Sequence, residues 1–249
     1  MNILMLHQGR CGSTVLGDLL SQHPALHWDG EIYYTSNWMP PSQPIKEIVF
    51  PGDGLRLVQD RMAEVTRTRG PLSYGFEVQT QCIVPMHISI ADYVSRCAEL
   101  GFTHFIHLQR RNLLRKVVSS VVALARNQFH FRPWEIPPLT KVEISIKHLA
   151  LKNSVQPLLT FMEGMESKVA EIDAAIVGKN ALDIVYEDDI EFGPHSGYQR
   201  VCAFLGIVPA SPAIHYAPAT PRPMYETIEN WSEVCRALSG TKYEWMLRG

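Results

Sequence analysis

The chain has 249 residues, 46% of them hydrophobic and 19% charged, with a formal net charge of −2. This is an ordinary globular composition, of a length that suits one large domain over residues 1–249. It carries no long-range positive field, so nucleic acid is not expected as a partner and any anion site must be local. The five cysteines, Cys11, Cys82, Cys97, Cys202 and Cys235, are odd in number and lack CxxC spacing. They indicate neither a disulfide framework nor a zinc site, and reduced thiols of a cytoplasmic protein are the simpler reading. "NILML" at the start is too short for a signal-peptide core, and no run of 18 apolar residues predicts a membrane span.

In chain order, "NILMLHQ" is an apolar run followed by a turn signal, and predicts a buried strand. "STVLGDLLSQHP" places Val15, Leu16, Leu19 and Leu20 at helical spacing, with Pro24 just beyond the helix end. Residues 34–54, rich in Pro, Ser and Gly, predict a lid or acceptor loop. Strands are predicted at 72–79, 104–110 and 181–188. A long helix follows over about 112–126, a Pro- and aromatic-rich loop over 127–141, and a helix over 142–177 broken or kinked near Pro157. A helix at 197–207, an extended stretch at 208–223 and a final helix from about Ile228 complete the chain. Alternating strands and helices predict an α/β fold with a mostly parallel sheet covered on both faces.

"GRCGST" lies between the first strand and the first helix. Its turn exposes backbone N–H groups, and the helix adds its positive end, which together make an anion cradle. Ser13 and Thr14 can cap the helix and donate hydroxyls, and Arg10 supplies a fixed cation. An ordinary capped helix after a turn is the bland alternative. Walker A requires Lys after the last glycine, and here Gly12 is followed by Ser13. The sequence "LQRRNLLRKVVSS" adds a second basic cluster, in which Arg111 precedes Ser119 by eight residues at the carboxyl end of a strand. Open α/β sheets bind ligands at that end. The rest of this helix reads as a solvated basic face (Arg115, Lys116) opposite an apolar one.

These stretches resemble the sulfotransferases that use 3′-phosphoadenosine 5′-phosphosulfate (PAPS). "GRCGSTVL" is similar to their 5′-phosphosulfate loop and "RNLLRKVVSS" to their 3′-phosphate motif. "VYEDDIEFGPHSGYQRVCAFLGI" and "IENWSEVCRALSGTKYEWML" resemble later segments of bacterial and Golgi-type members. The likeness is closest to the bacterial Arg-Ser-Gly-Ser-Thr type, with Cys11 in place of the usual Ser. It implies a P-loop NTPase-like sulfotransferase fold and PAPS as cosubstrate, leaving as adenosine 3′,5′-bisphosphate (PAP). Gly9, Arg10, Cys11, Gly12, Ser13, Thr14, Arg111 and Ser119 would bind the nucleotide, and Arg222 would add a late contact. Arg10 takes the place of the family's catalytic cation.

A hydroxyl or amine acceptor must lose a proton to a group within hydrogen-bond reach. The resemblance implies Glu31, with Asp29 close enough in sequence to be confused with it; His87 is the competitor. Gln79 and Gln81 alternate onto one strand face and can line the acceptor site with Tyr33 and Glu31. Glu77 stands where many relatives carry Lys. No carboxylate or His cluster shows metal-ligand spacing, and no metal is expected. The expected acceptor is a small molecule such as a secondary metabolite, and the protein a monomer or homodimer without nucleic-acid or membrane partners. The alternatives are a small-metabolite P-loop kinase and a non-catalytic nucleotide-binding module.

Overall fold

The structure is a computed structural model, which describes residues 1–33, 54–70, 72–151 and 154–248. The expected loop 34–54 lies outside the described residues except for Gly54. The chain divides into two compact units, Met1–Gln109 with Lys168–Ile214, and Arg110–Ser167 with His215–Gly249.

The first unit is built on a five-stranded sheet of β1 (Asn2–His7), β2 (Leu26–Glu31), β3 (Ser73–Gln79), β4 (Phe102–Gln109) and β7 (Ala181–Val185). The order is β2-β3-β1-β4-β7 and every pairing is parallel. β1 is central, and Ile3, Leu4, Met5 and Leu6 are fully buried. This is the unbroken apolar run that a parallel strand covered on both faces demands. On one face Ile3, Met5 and Ile106 pack with α1 (Ser13–Ser21) and α6 (Pro194–Leu205). On the other, Leu4, Leu6, Phe76 and Val78 pack with α2 (Leu55–Arg69), α3 (Ile90–Glu99) and the end of α5 (Leu158–Ile176). The architecture is thus the mostly parallel α/β sheet that the alternating pattern predicts.

The second unit holds α4 (Leu113–Arg126), a hairpin of β5 (Leu149–Leu151) and β6 (Ser154–Gln156), the start of α5, and α7 (Trp231–Leu238). Its core joins Leu114, Val117 and Val122 of α4 to Met162, Val234, Leu238 and Tyr243. Asn112 caps α4 by accepting from Arg115 N, and Asn127 ends it in the left-handed conformation at φ 50°. Lys116, expected on a solvated face, is buried, because the core encloses more than half of the helix circumference. The helix expected over 142–177 begins only at Leu158. Val142 instead bridges to Ile228, and β5 and β6 pair antiparallel. Pro157 therefore marks a helix start rather than a kink, as suits a residue with fixed φ and no N–H. The final helix, expected from about Ile228, runs over α7 from Trp231, and a single turn, Met224–Thr227, precedes it. No helix among the described residues is long and apolar enough to cross a membrane.

Asp29 of β2 has a structural role. Its side chain is almost wholly buried and takes two bonds from Arg61 of α2, Nη2 at 2.6 Å and Nε at 2.9 Å, and one from Tyr74 Oη at 2.9 Å. Burial would raise the carboxyl pKa, but the bonds from Arg61, Tyr74 and His27 outweigh it and hold the pKa below its ordinary value. A depressed pKa contributes stability above the unfolded-state value, near 4, which is lost as pH falls through the folded one. Asp29→Asn should lower stability at neutral pH by about 2 kcal/mol, a fall in Tm of about 4–8 °C. Thermal melts at pH 7 and pH 3 check both points: the gap between wild type and variant should narrow in acid, and an equal gap at both pH values refutes the role.

Candidate active site

Between β1 and α1 the backbone enters the left-handed region at Gly9 (φ 79°), Arg10 (55°) and Gly12 (88°). Glycine does so freely, whereas Arg10 carries a Cβ and pays about 1–2 kcal/mol. Such strain is concentrated at ligand clamps. Gly12 is the N-cap of α1, with no side-chain cap and no acidic residue in the first turn. The first N–H groups of α1 therefore lack a side-chain acceptor, and the positive end of the helix lies at the loop. This corrects the expectation that Ser13 and Thr14 cap the helix: α1 starts at Ser13, which puts both residues inside its first turn. A Cβ on Gly12 would lie 2.8 Å from Ile190 Cγ2 and 3.0 Å from Tyr186 Cδ2, so the turn Tyr186–Ile190 packs directly on the loop. Asp189 fixes that turn by accepting from Val185 N and Arg200 Nη1. Cys11 is fully buried and its sulfur bonds to His7, so its backbone alone can serve an anion.

Sheet register brings further groups to the same end. His7 pairs with Gln79 and Met5 with Glu77, while Glu31 pairs with Glu77. Partners in adjacent parallel strands share a face, and residues two apart share it too. His7, Glu31, Glu77 and Gln79 thus converge at the carboxyl ends of β1, β2 and β3, beneath the loop. His7 Nε2 is 3.2 Å from Glu77 Oε2 and 3.7 Å from Glu31 Oε1. Gln79 Nε2 donates to both Glu31 oxygens, at 2.9 and 3.1 Å, and Gln81 Nε2 donates to Gln79 Oε1. A Cβ on Gly9 would lie 2.8 Å from Gln79 Oε1, so Gln79 touches the loop and holds Glu31 at once. Glu31 is the partly exposed member, at 24%, whereas His7 and Glu77 are buried.

Gly17 of α1 makes room for Glu77: a Cβ there would lie 2.7 Å from Glu77 Oε1 and 3.0 Å from Trp28 Nε1. Burial raises the Glu77 pKa and the Glu31 charge adds to this, against the pull of the His7 and Trp28 ring N–H groups beside it. Burial also disfavours the His7 cation, while negative charge at Cys11 and Glu77 would favour it. His7 and Glu77 were not singled out as site residues from sequence. The available signal was a His at the last position of β1 and an acid in a strand where relatives carry Lys.

The other expected residues fall as follows. Gln81 lies on a 3-10 turn (Thr80–Cys82), because β3 ends at Gln79, yet it still meets Gln79 through its amide. Tyr33 is 1% exposed and packs edge-on to Phe76; its hydroxyl donates to Gly54 O and accepts from Tyr93. That position is core, not a pocket wall. His87 is exposed at the end of a 3-10 turn with φ 56° and is not part of the carboxylate cluster. In the second unit Arg111 is exposed just before α4 and Ser119 is buried within it. Arg222 lines a small cleft with Arg126, Pro137, Pro138 and Thr220, and its Nη1 is 3.9 Å from Glu226. In the loop 127–141 Phe131 is buried, whereas Trp134 is 76% and Ile136 87% exposed.

Among the described residues, two groups of side chains bring metal-ligating atoms within 4.8 Å of one another, His7 with Glu31 and Glu77, and His107 with Asp173 and Asp183. In the second, His107 Nδ1 already lies 2.7 Å from Asp173 Oδ1. A cavity of about 620 Å³ opens beside α2 and α3, lined by Leu55, Arg56, Gln59, Asp60, Arg96, Glu99 and Leu100. It includes none of the loop or carboxylate residues, so chemistry and not volume marks the candidate site.

No protein-family model matches the chain, and no curated protein matches it. Among solved structures it is similar to a sulfotransferase from Alicyclobacillus acidocaldarius, with a TM-score of 0.49 and 14% identity over 99% of this chain and 95% of that one. A likeness at that level bears on neither activity nor substrate, so the function must be argued from the site itself.

Proposed function

We propose that the chain is a PAPS-dependent sulfotransferase that sulfates a hydroxyl or amine of a small-molecule acceptor and releases PAP. The observation that carries this reading is the joining, at one end of the sheet, of an uncapped anion loop bearing Arg10 with a fixed carboxylate, Glu31, tied to that loop by Gln79. The motif resemblance supplies the identity of the anion.

The fit of the nucleotide to the loop rests on backbone. Gly9 and Gly12 hold left-handed conformations, Gly9 giving its own N–H to His7 Nδ1, and a side chain at either position would strike Gln79 or Ile190. The 5′-phosphosulfate would lie on the backbone of residues 9–14 and the hydroxyls of Ser13 and Thr14. On the motif resemblance alone, Arg111 and Ser119 are assigned to the 3′-phosphate, and Arg222 to a further contact.

Sulfuryl transfer is expected to be in-line and loose, by analogy with phosphoryl transfer. Negative charge grows on the bridging oxygen as PAP leaves, and a guanidinium from Arg10 would stabilise it where it develops. Glu31 would accept the acceptor's proton. Its carboxylate is partly exposed and held at both oxygens by one amide, so it is oriented without being sealed off. His87 has no comparable tie to the loop. The sulfuryl group carries less charge than a phosphoryl group, so backbone N–H groups and one cation suffice and the scheme invokes no metal.

A small-metabolite kinase is the rival reading, and a panel of PAP, ATP with magnesium, and AMP separates the two. PAP at about 100 times its Kd should stabilise the fold by about 2.7 kcal/mol, a rise in Tm of about 5–10 °C. A shift with magnesium–ATP but not with PAP would sink the sulfotransferase reading. Arg10→Ala should cut the transfer rate about 10²–10³-fold while keeping most of the PAP shift, and Glu31→Gln should do the same. Arg111→Ala should instead weaken PAP binding by about 1.5–3 kcal/mol. Loss of PAP binding in Arg10→Ala with the rate unchanged at saturation would reverse the assigned roles.

A further inference from the structure

Beneath the loop, His7 touches three things at once. Its Nδ1 accepts a hydrogen bond from the backbone N–H of Gly9, at 3.1 Å. Its Nε2 faces Glu77 Oε2 at 3.2 Å and Glu31 Oε1 at 3.7 Å. Cys11 of the loop bonds to the ring as well. His7 Nε2 and Glu77 Oε2 are both buried and lie side by side without the alignment of a hydrogen bond, and neither atom makes one among the described residues.

The bond from Gly9 fixes the state of the ring. A nitrogen that accepts an N–H carries no proton of its own, so the proton of a neutral ring sits on Nε2. There it lies beside the two carboxylates. The same bond argues against a metal on this cluster. A metal-ligating His almost always donates its other ring N–H to an acceptor, whereas the other nitrogen here is itself the acceptor. It argues against an imidazolium too, because a second proton would set Nδ1–H against Gly9 N–H. The pull toward the cation comes chiefly from negative charge at Cys11, and a wholly buried thiol keeps its proton. The titratable groups facing the ring are Cys11 from the loop, Glu31 from β2 and Glu77 from β3.

We propose that His7 is a positioning residue: as a neutral ring protonated at Nε2, it holds the anion loop through Gly9 and sets an N–H group beside the Glu31–Glu77 pair. One side chain thereby sets the distance between the group that grips the donor and the group that takes the acceptor's proton. In the role given to Glu31 this rests on the sulfotransferase reading; the ring state does not. Gln79 makes a parallel tie, holding Glu31 while pressing on Gly9.

The ring state is measured directly by long-range ¹H–¹⁵N spectra of histidine-labelled protein. The histidine signal that vanishes in His7→Asn should show a neutral Nε2–H tautomer throughout pH 6–8. If that variant does not fold, the signal is identified by its displacement in Glu31→Gln, at the partly exposed end of the cluster. An imidazolium at pH 7, an Nδ1–H tautomer, or a signal that moves on addition of zinc or manganese overturns the proposal. These outcomes hold whether or not PAP binds, so failure of the functional reading is recognised separately, in the wild-type PAP shift.

The two nitrogens also separate by substitution. Asn places an oxygen near Nδ1 and can keep the Gly9 bond, while Gln places an amide near Nε2 and can keep the donor. His7→Asn should retain the PAP shift, lose turnover about 10–100-fold, and move the acid limb of the pH–rate profile upward, because Glu31 loses a donor to its anion. His7→Gln should keep the profile and weaken PAP binding. Equal losses of both properties in both variants would mean that His7 only fills space.

Discussion

The fold depends on one constraint at its centre: the strand that feeds the anion loop also ends in a buried histidine that answers to two acids. β1 must be apolar along its length to lie between two helical layers, and Ile3 to Leu6 satisfy this. At His7 the requirement reverses, because the chain must leave the core and present its backbone. The imidazole serves both sides of that boundary, with one nitrogen toward the loop and the other toward buried carboxylates. Removal of either partner would leave a buried polar atom unsatisfied, at about 1–3 kcal/mol. The loop conformation and the placement of Glu77 are therefore coupled, not independent.

A second consequence concerns charge. An anion loop standing over two ionised carboxylates would repel its own ligand. Two unit charges 4 Å apart interact by about 4 kcal/mol near a protein surface, falling inversely with distance. Burial and the neighbouring Glu31 charge raise the pKa of Glu77, and so limit how much negative charge gathers behind the loop. Gly17 contributes by leaving room for the carboxyl against α1, at about 1 kcal/mol of helix propensity. Asp29, two residues before Glu31, follows the opposite course: bidentate pairing with Arg61 keeps it charged and neutralised in place. Asp29 of β2 and Glu77 of β3 thus reach different states through their surroundings.

Where physics acts locally, the elements were readable in the sequence. β1, α1, β4 and α4 each combine a clear periodicity with a stop signal. β2 was missed because His27, Asp29 and Gly30 break its apolar pattern, and its pairing with β3 is itself irregular after Trp28. Amphipathic α2 and α3 went unassigned, although Ser89 and Asp92 form a reciprocal cap at the start of α3. Residues 142–157 look helical because Val142, Ile144 and Ile146 suit several periods, but they go into a bridge and a hairpin. At the site, Arg10, Gly12 and Glu31 were named from motif likeness. His7 and Glu77 are 70 residues apart in sequence, and only sheet register brings them together.

The same distinction separates what the loop can bind from what the site can do with it. Backbone N–H groups at a helix start accept many anions, so the stretch 9–14 by itself leaves the ligand open. Specific chemistry requires a second group at a fixed distance, and here distance is set by strands, not by the loop. Glu31 ends β2 and Gln79 ends β3, and the two strands are paired; the amide of Gln79 spans from one strand end to the other and rests on Gly9. On the proposed function, the rigid sheet would carry the proton acceptor and the strained loop the anion. A displacement of the loop by one residue would leave Glu31 in place with nothing to act on. On this view the strain at Arg10 is the cost of keeping a flexible, permissive anion grip aligned with a rigid base.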